Sequence, residues 1–89
     1  MKVYIIEYGK FTGREYDITG FVNINMSDGF NCKNRTRKQV EDEIEKNGEC
    51  ILRCMTSGML KIEVRYNNNK TEIINEGVYN SSGSGIIIK

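Results

Sequence analysis

With 89 residues and a formal net charge of +1, the chain is sized for one domain with a marginal core, since a chain this short buries only about 60–65% of the surface its unfolded form exposes. It is too nearly neutral to coat nucleic acid nonspecifically and not acidic enough to imitate DNA by charge alone. It has no Pro, Trp, His or Ala. The abundance of Ile, Asn and Lys matches AT-rich codons and points to a low-GC bacterium or its phage.

Val3 to Tyr8 reads as a strand, with Tyr4, Ile6 and Tyr8 on one face and Val3 and Ile5 on the other. Apolar residues on both faces predict an interior place in a sheet. Residues 9–13 read as a turn, and Tyr16 to Met26 as a second strand with Tyr16, Ile18, Val22, Ile24 and Met26 in phase. A loop Phe11-Thr12-Gly13 with a left-handed Gly would pair Tyr8 with Tyr16, Ile6 with Ile18 and Tyr4 with Gly20. Residues 27–32 form a polar loop carrying an Asp28-Gly29 turn signal.

The stretch 34–48 is the one convincing helix, over about 36–47. Thr36 and Gln39 have the spacing of a capping box, and Gly48 suits the left-handed residue after a helix. Val40 and Ile44 make a narrow apolar stripe, extended by the stem of Arg37, so the helix should cover a sheet rather than build a bundle. Its charges run backwards. Lys33, Arg35, Arg37 and Lys38 crowd the end where the macrodipole is already positive, each at a cost of up to about 1 kcal/mol. Glu41, Asp42, Glu43 and Glu45 follow. Two readings are open: i, i+4 pairing makes the cluster an ordinary solvated face, or Lys33, Arg35, Thr36, Arg37 and Lys38 form a site for phosphate or an acidic surface.

Cys50 to Met55 and Leu60 to Tyr66 read as strands joined by a tight loop ending in Gly58, pairing Cys54 with Leu60, Leu52 with Ile62 and Cys50 with Val64. A further hairpin turns at Asn68-Asn69, with Arg65 opposite Glu72 and Val64 opposite Ile73. Residues 76–85 read as loop and close in flexible-linker composition. Ile86, Ile87 and Ile88 then either fold back as a short last strand or add to the sheet edge of another subunit or target. The predicted organisation is a single domain over 1–79 and a Ser/Gly-rich tail over 80–89.

The sequence offers little for catalysis or for metal. Without His, a zinc site would need a carboxylate beside the cysteines, and Cys50 and Cys54 on one strand lie roughly 13 Å apart. Cys50 and Cys54 read as core thiols, and Cys32 beside Lys33 lacks a histidine base. The helix carboxylates suit a solvated face better than an acid–base pair. A stacking platform for bases would draw on Tyr4, Tyr8, Tyr16, Tyr66 and Tyr79 with Phe11, Phe21 and Phe30, of which the three Phe are the candidates for exposed rings. No enzyme, metal or cofactor is expected.

Three cysteines fit a reducing cytosol better than a disulfide framework. No apolar run is long enough to cross a bilayer, and the early charges argue against a signal peptide, so a cytoplasmic protein is expected, in the host cell if phage-encoded.

Ile18-Thr19-Gly20-Phe21, Ser27-Asp28-Gly29, the capped helix from Thr36 to Gly48 and the meander from Cys50 to Ile74 together resemble a family of small bacterial and phage proteins of unknown function. The likeness covers about two-thirds of the chain and is one of structural motif, without catalytic residues. In size, composition and lack of catalytic groups the chain is similar in type to phage anti-defence proteins, anti-CRISPRs among them. The resemblance implies an inhibitor that binds without chemistry.

The fold expected is α+β: an antiparallel sheet of about five strands with one helix packed on one face. The function expected is non-enzymatic binding. The partner would be a bacterial defence protein, such as a nuclease complex, or a nucleotide second messenger, held at the basic helix start, with Phe30 and Ile86 to Ile88 as a candidate interface. The alternative is a homo-oligomeric assembly protein joined through the C-terminal strand. Direct nucleic-acid binding is a weaker third reading, and no membrane partner is expected.

Overall fold

Period-two alternation runs through most of the chain, and it resolves into strands of two sheets rather than one. The computed structural model describes residues 1–7, 10–27, 32–53, 58–79 and 84–89. Its elements are β1 (Lys2–Glu7), β2 (Lys10–Asp17), β3 (Phe21–Ser27), β4 (Cys32–Thr36), α1 (Arg37–Asn47), β5 (Cys50–Arg53), β6 (Gly58–Tyr66), β7 (Thr71–Tyr79) and β8 (Gly85–Ile88). The first sheet has the order β2-β1-β8-β5 and the second β4-β3-β6-β7, four strands each. Every pairing is antiparallel. The class is α+β, as expected. The single sheet of about five strands is corrected to two sheets of four.

The correction begins at the segment read as one strand from Tyr16 to Met26. Asp17 accepts hydrogen bonds from the backbone N–H and the hydroxyl of Thr19, at 2.9 and 2.5 Å. Phe21 N–H donates to Ile18 O at 3.1 Å, and Gly20 sits at φ +83°. This Asx-type corner ends β2 and starts β3 in the other sheet. A second break lies at the position read as the 50–66 hairpin. β5 pairs with β8, while β6 pairs with β3 and β7. An alternating apolar pattern says which face is buried but not which strand lies alongside, so Ile24, Met26, Cys50, Leu52, Leu60, Ile62 and Val64 kept their inward places while their strands changed partners. Cys54 falls outside the described residues.

Register also differs. β1 and β2 pair Glu7 with Lys10 and Lys2 with Asp17, with an irregularity between Tyr4 and Ile6. Gly13 is left-handed, at φ +86°, but inside β2 rather than in a loop. The Thr12 hydroxyl fills the irregularity, donating to Ile5 O at 3.1 Å and accepting from Arg14 N–H at 3.1 Å. The β6–β7 hairpin is one residue off the prediction: Arg65 faces Thr71 and Val64 faces Glu72. Asn69 alone takes positive φ, +67°, and Tyr66 N–H donates to Lys70 O, which makes a three-residue loop instead of a two-residue one. β7 continues through Tyr79, where loop was expected.

One core joins the layers. Val3, Ile5, Cys50, Leu52, Ile86 and Ile88 point in from the first sheet, and Phe21, Ile24, Met26, Leu60, Ile62, Val64 and Ile74 belong to the same cluster from the second. Ile18 and Val40 complete it. The helix matches its prediction closely. Thr36 accepts from Gln39 N–H, the Gln39 side chain accepts from Thr36 N–H, and Gly48 is left-handed at φ +83°. It packs against β3, β4 and β5. Since β4 and β5 are edge strands of different sheets, α1 bridges the two sheets at that side instead of lying across one sheet. No helix among the described residues is long and apolar enough to cross a membrane.

Candidate functional site

The five residues read as an anion site do not converge. In β4 the exposure alternates, so Lys33 and Arg35 turn toward the α1–β5 side while Cys32, Asn34 and Thr36 face out. Lys33 Nζ donates to Arg53 O at 2.7 Å. Arg35 Nε donates to Glu43 Oε1 at 3.2 Å, and its Nη1 donates to Asn34 O at 3.0 Å. Arg37 lies with its guanidinium 5.7 Å from the Phe21 ring centroid and pairs with Glu41 at 3.7 Å. Lys38 points to solvent and pairs with Asp42 at 3.6 Å. The Thr36 hydroxyl is engaged by the helix's own N–H. Each of the four cations thus meets a carboxylate or a carbonyl of its own chain. The ion pairs are weak, of order 0–1 kcal/mol each at the surface, but they offset the charge of Arg35, Arg37 and Lys38, while Lys33 is held by a neutral carbonyl and keeps its own.

Ile86, Ile87 and Ile88, read as a candidate interface, lie in β8 in the interior of the first sheet. Their strand is hydrogen-bonded on both sides, to β1 and to β5, and all three side chains are buried. A contact with another chain through this strand would require it to leave that place. Phe30 is outside the described residues. Phe21, named as a candidate exposed ring, is buried, because the β3–β6 ladder shifts between Phe21 and Asn23 and turns the ring inward. Of the two described rings Phe11 is the exposed one, at 61%.

Phe11 organises a surface feature on the first sheet. It stands on the edge strand β2 opposite Ile6 of β1. Its ring meets Tyr4 edge-on, with centroids 6.3 Å apart and planes at 83°. Lys89 Nζ lies over the Tyr4 ring, 5.7 Å from its centroid. Tyr4, Phe11, Gly13, Arg14, Glu15 and Lys89 line an open concavity of about 350 Å³. Arg14 is held to Glu7 at 2.8 Å and Lys2 to Glu15 at 3.5 Å, so the rim carries both signs of charge. Register extends the apolar stripe inward: Tyr4 faces Ile87, and Ile87 faces Ile51. An aromatic pair with an apolar floor and a mixed-charge rim suits protein recognition, where exposed aromatic and Arg side chains supply most of the binding energy. Sequence alone named Phe11, and Tyr4 as one of the rings of a possible stacking platform, but missed Arg14, Glu15 and Lys89. Tyr4 was legible as the face opposite Val3 and Ile5, whereas Lys89 needed the β1–β8 pairing.

The outward face of the second sheet is different. Asn23, Asn25, Asn34, Glu63, Arg65 and Thr71 line a polar concavity of about 300 Å³. The Asn23 and Asn34 amides bond each other reciprocally at 2.6 and 2.9 Å, and Cys32 Sγ donates to Asn25 Oδ1 at 2.7 Å. These groups largely satisfy one another, as on the wet side of an antiparallel sheet.

Among the described residues three groups titrate away from their ordinary values. The Cys50 thiol is pushed up to about 12, chiefly by burial, then by its hydrogen bond to Glu43 and that carboxylate's charge. It is a core thiol and not a nucleophile. The Asp17 carboxyl is held low by its hydrogen bonds from Thr19. The Tyr66 phenol is raised by burial and by Glu72, to which it donates at 3.3 Å. Among the described residues no group of three His, Cys, Asp or Glu side chains is placed to hold a metal ion.

No family model, curated protein or solved structure matches the chain.

Proposed function

We propose that this chain is a non-enzymatic binding protein whose partner is another protein, docked on the Tyr4–Phe11 face of the first sheet. One observation carries the reading: Phe11 is a large aromatic left 61% exposed on an edge strand, braced by Tyr4 beside a concavity. A ring in water with no packing role costs a small domain solubility, and a docking partner gives it a purpose. The partner's complementary surface is an apolar knob ringed by both charge signs, to suit Arg14, Glu15 and Lys89. The likeness in size and type to phage anti-defence proteins supports a bacterial defence protein as the partner, and blockade by binding as the mode of action.

The test is capture from a bacterial lysate with three baits: wild type, Phe11→Ala, and the charge reversal Arg35→Glu with Arg37→Glu. A protein retained by wild type and by the charge reversal but lost with Phe11→Ala supports the reading. Retention by Phe11→Ala with loss on charge reversal overturns it and places the partner on the basic helix start. Circular dichroism of each bait separates lost binding from lost fold.

A further inference from the structure

Ile62 and Val64 of β6 are buried in the core, so Glu63 and Arg65 project from the opposite face of the second sheet. The two opposite charges share that face but do not pair. Glu63 reaches Lys61 instead, at a loose 3.8 Å with both side chains half-exposed. Among the described residues the Arg65 guanidinium and the Thr71 hydroxyl meet no hydrogen-bond or ion-pair partner.

The ladder registers set two rows across this face. Asn25, Glu63 and Ile73 lie side by side on β3, β6 and β7, and Asn23, Arg65 and Thr71 form the next row. Ile73 is 49% exposed, while its neighbour Ile74 turns into the core. An exposed aliphatic side chain, an unpaired cation and a loosely held carboxylate therefore meet at a concavity of about 300 Å³. Each alone is ordinary on a wet surface. Together they surround a volume at the low end for small-molecule sites, about 300–1,000 Å³.

We propose that this face binds a guanine nucleotide, with the base on Glu63, Asn25 and Ile73 and the phosphate on Arg65 and Thr71. An ionised carboxylate only accepts hydrogen bonds, and its two oxygens suit two adjacent N–H groups. Of the common RNA bases, guanine alone presents two such donors side by side, at its N1 and N2 positions. Next to them it carries an acceptor, O6. Asn25 is set to donate there, because its Oδ1 already accepts from Cys32 Sγ at 2.7 Å and leaves Nδ2 to a ligand. Ile73 gives the flat side of the base an aliphatic surface. Arg65 supplies a planar fork of donors for phosphate oxygens, and Thr71 adds a hydroxyl. Asn23 and Asn34, bonded to each other in both directions, brace the floor. The site lies on the other sheet from the Tyr4–Phe11 face, so this inference and the proposed protein partner can fail independently.

The test is a titration of the isotopically labelled whole chain, followed by NMR of its backbone amides. The probes are GMP, IMP, AMP, CMP and inorganic phosphate; IMP is GMP without the N2 amino group. GMP should shift the amides of Asn25, Glu63, Arg65 and Thr71. IMP, AMP and CMP should bind at least about tenfold more weakly, the loss for one charge-assisted hydrogen bond. Glu63→Gln should abolish the preference for GMP over IMP. Arg65→Gln should weaken GMP but not guanosine. No shift at millimolar GMP, equal affinity for GMP and IMP, the same shifts with phosphate alone, or shifts confined to other strands would each overturn the proposal. So would a folded Glu63→Gln protein that keeps the preference. The comparison of GMP with IMP on the wild type decides should either variant fail to fold.

Discussion

Arg35 is fastened to Glu43, Nε to Oε1 at 3.2 Å, and this contact ties β4 to the middle of α1. The pair is about one-third exposed on each side, so solvent screens it and its coupling is expected at about 0.5 kcal/mol. A double-mutant cycle with Arg35→Ala and Glu43→Ala, read by urea unfolding, measures it. Coupling near zero would mean the geometry is incidental. Coupling of this size makes Arg35 a fastener of the fold, which is the reason it makes a poor ligand for an outside anion.

Thr36→Ala removes the acceptor for Gln39 N–H and one half of the capping box. The expected loss is about 1 kcal/mol, with Thr36→Ser close to neutral. Chemical denaturation of the three proteins checks both, and equal losses for Ala and Ser would show that the hydroxyl does not cap.

The Cys50 thiol stays protonated in the fold up to about pH 12, whereas an unfolded thiol ionises near 8.5. The folded value is the raised one, so the contribution is intact below the unfolded value. It is lost as pH rises between the two, because the unfolded chain then binds fewer protons. The wild type should lose stability relative to Cys50→Ala from pH 9 upward. In the native protein at pH 8, alkylation followed by peptide mass analysis should mark the exposed Cys32 and spare Cys50.

Asp17 works in the opposite direction. Its folded value is depressed by the two bonds from Thr19. Its support for the β2–β3 corner is therefore present above the ordinary carboxylate range and lost as pH falls through the folded value. Asp17→Asn keeps an acceptor without the titration, so its acid unfolding should lack that component of the wild-type profile. Asp17→Ala should be less stable than both at neutral pH.

Gly85→Ala tests the close approach of β8 to β5. The new methyl would meet Leu52 O and the Arg53 backbone, neither of which can swing aside as a side chain end could. The expected drop in Tm exceeds that of Thr36→Ala. A neutral result would show that the two strands have room to part.

The helix was legible to the residue because its signals are local: Thr36, Gln39 and Gly48 act on backbone within one turn of themselves. The inward faces of β5 and β6 were legible too, since alternation fixes them. Partner choice was not, because Cys50 to Arg53 fits β8 as well as it fits β6 by pattern, and the deciding contact is with residues over thirty positions away. Phe21 was assigned to the wrong face for a related reason. A ladder irregularity shifts the phase between Phe21 and Asn23, and period-two counting has no signal for it. The basic helix start was read correctly as crowded, and its i, i+4 pairing of Arg37 with Glu41 and Lys38 with Asp42 was legible in the sequence, whereas Arg35 on Glu43 and Lys33 on Arg53 O were visible only in three dimensions. Phe11 stood out in the sequence as a loop aromatic. Its brace by Tyr4 and Lys89 depends on both neighbours of β1 being in place.

The pairing of β1 with β8 sets a clock on biosynthesis. The ribosome delivers Ile86 and Ile88 more than eighty residues after Val3 and Ile5, and at about 5–20 residues per second the interval is roughly 4–16 s. For that interval the nascent polypeptide carries an apolar strand with one of its two neighbours missing. A chain that stops near residue 84 lacks an interior strand of its first sheet, so such premature termination should send the product to proteases instead of giving a slightly weakened protein.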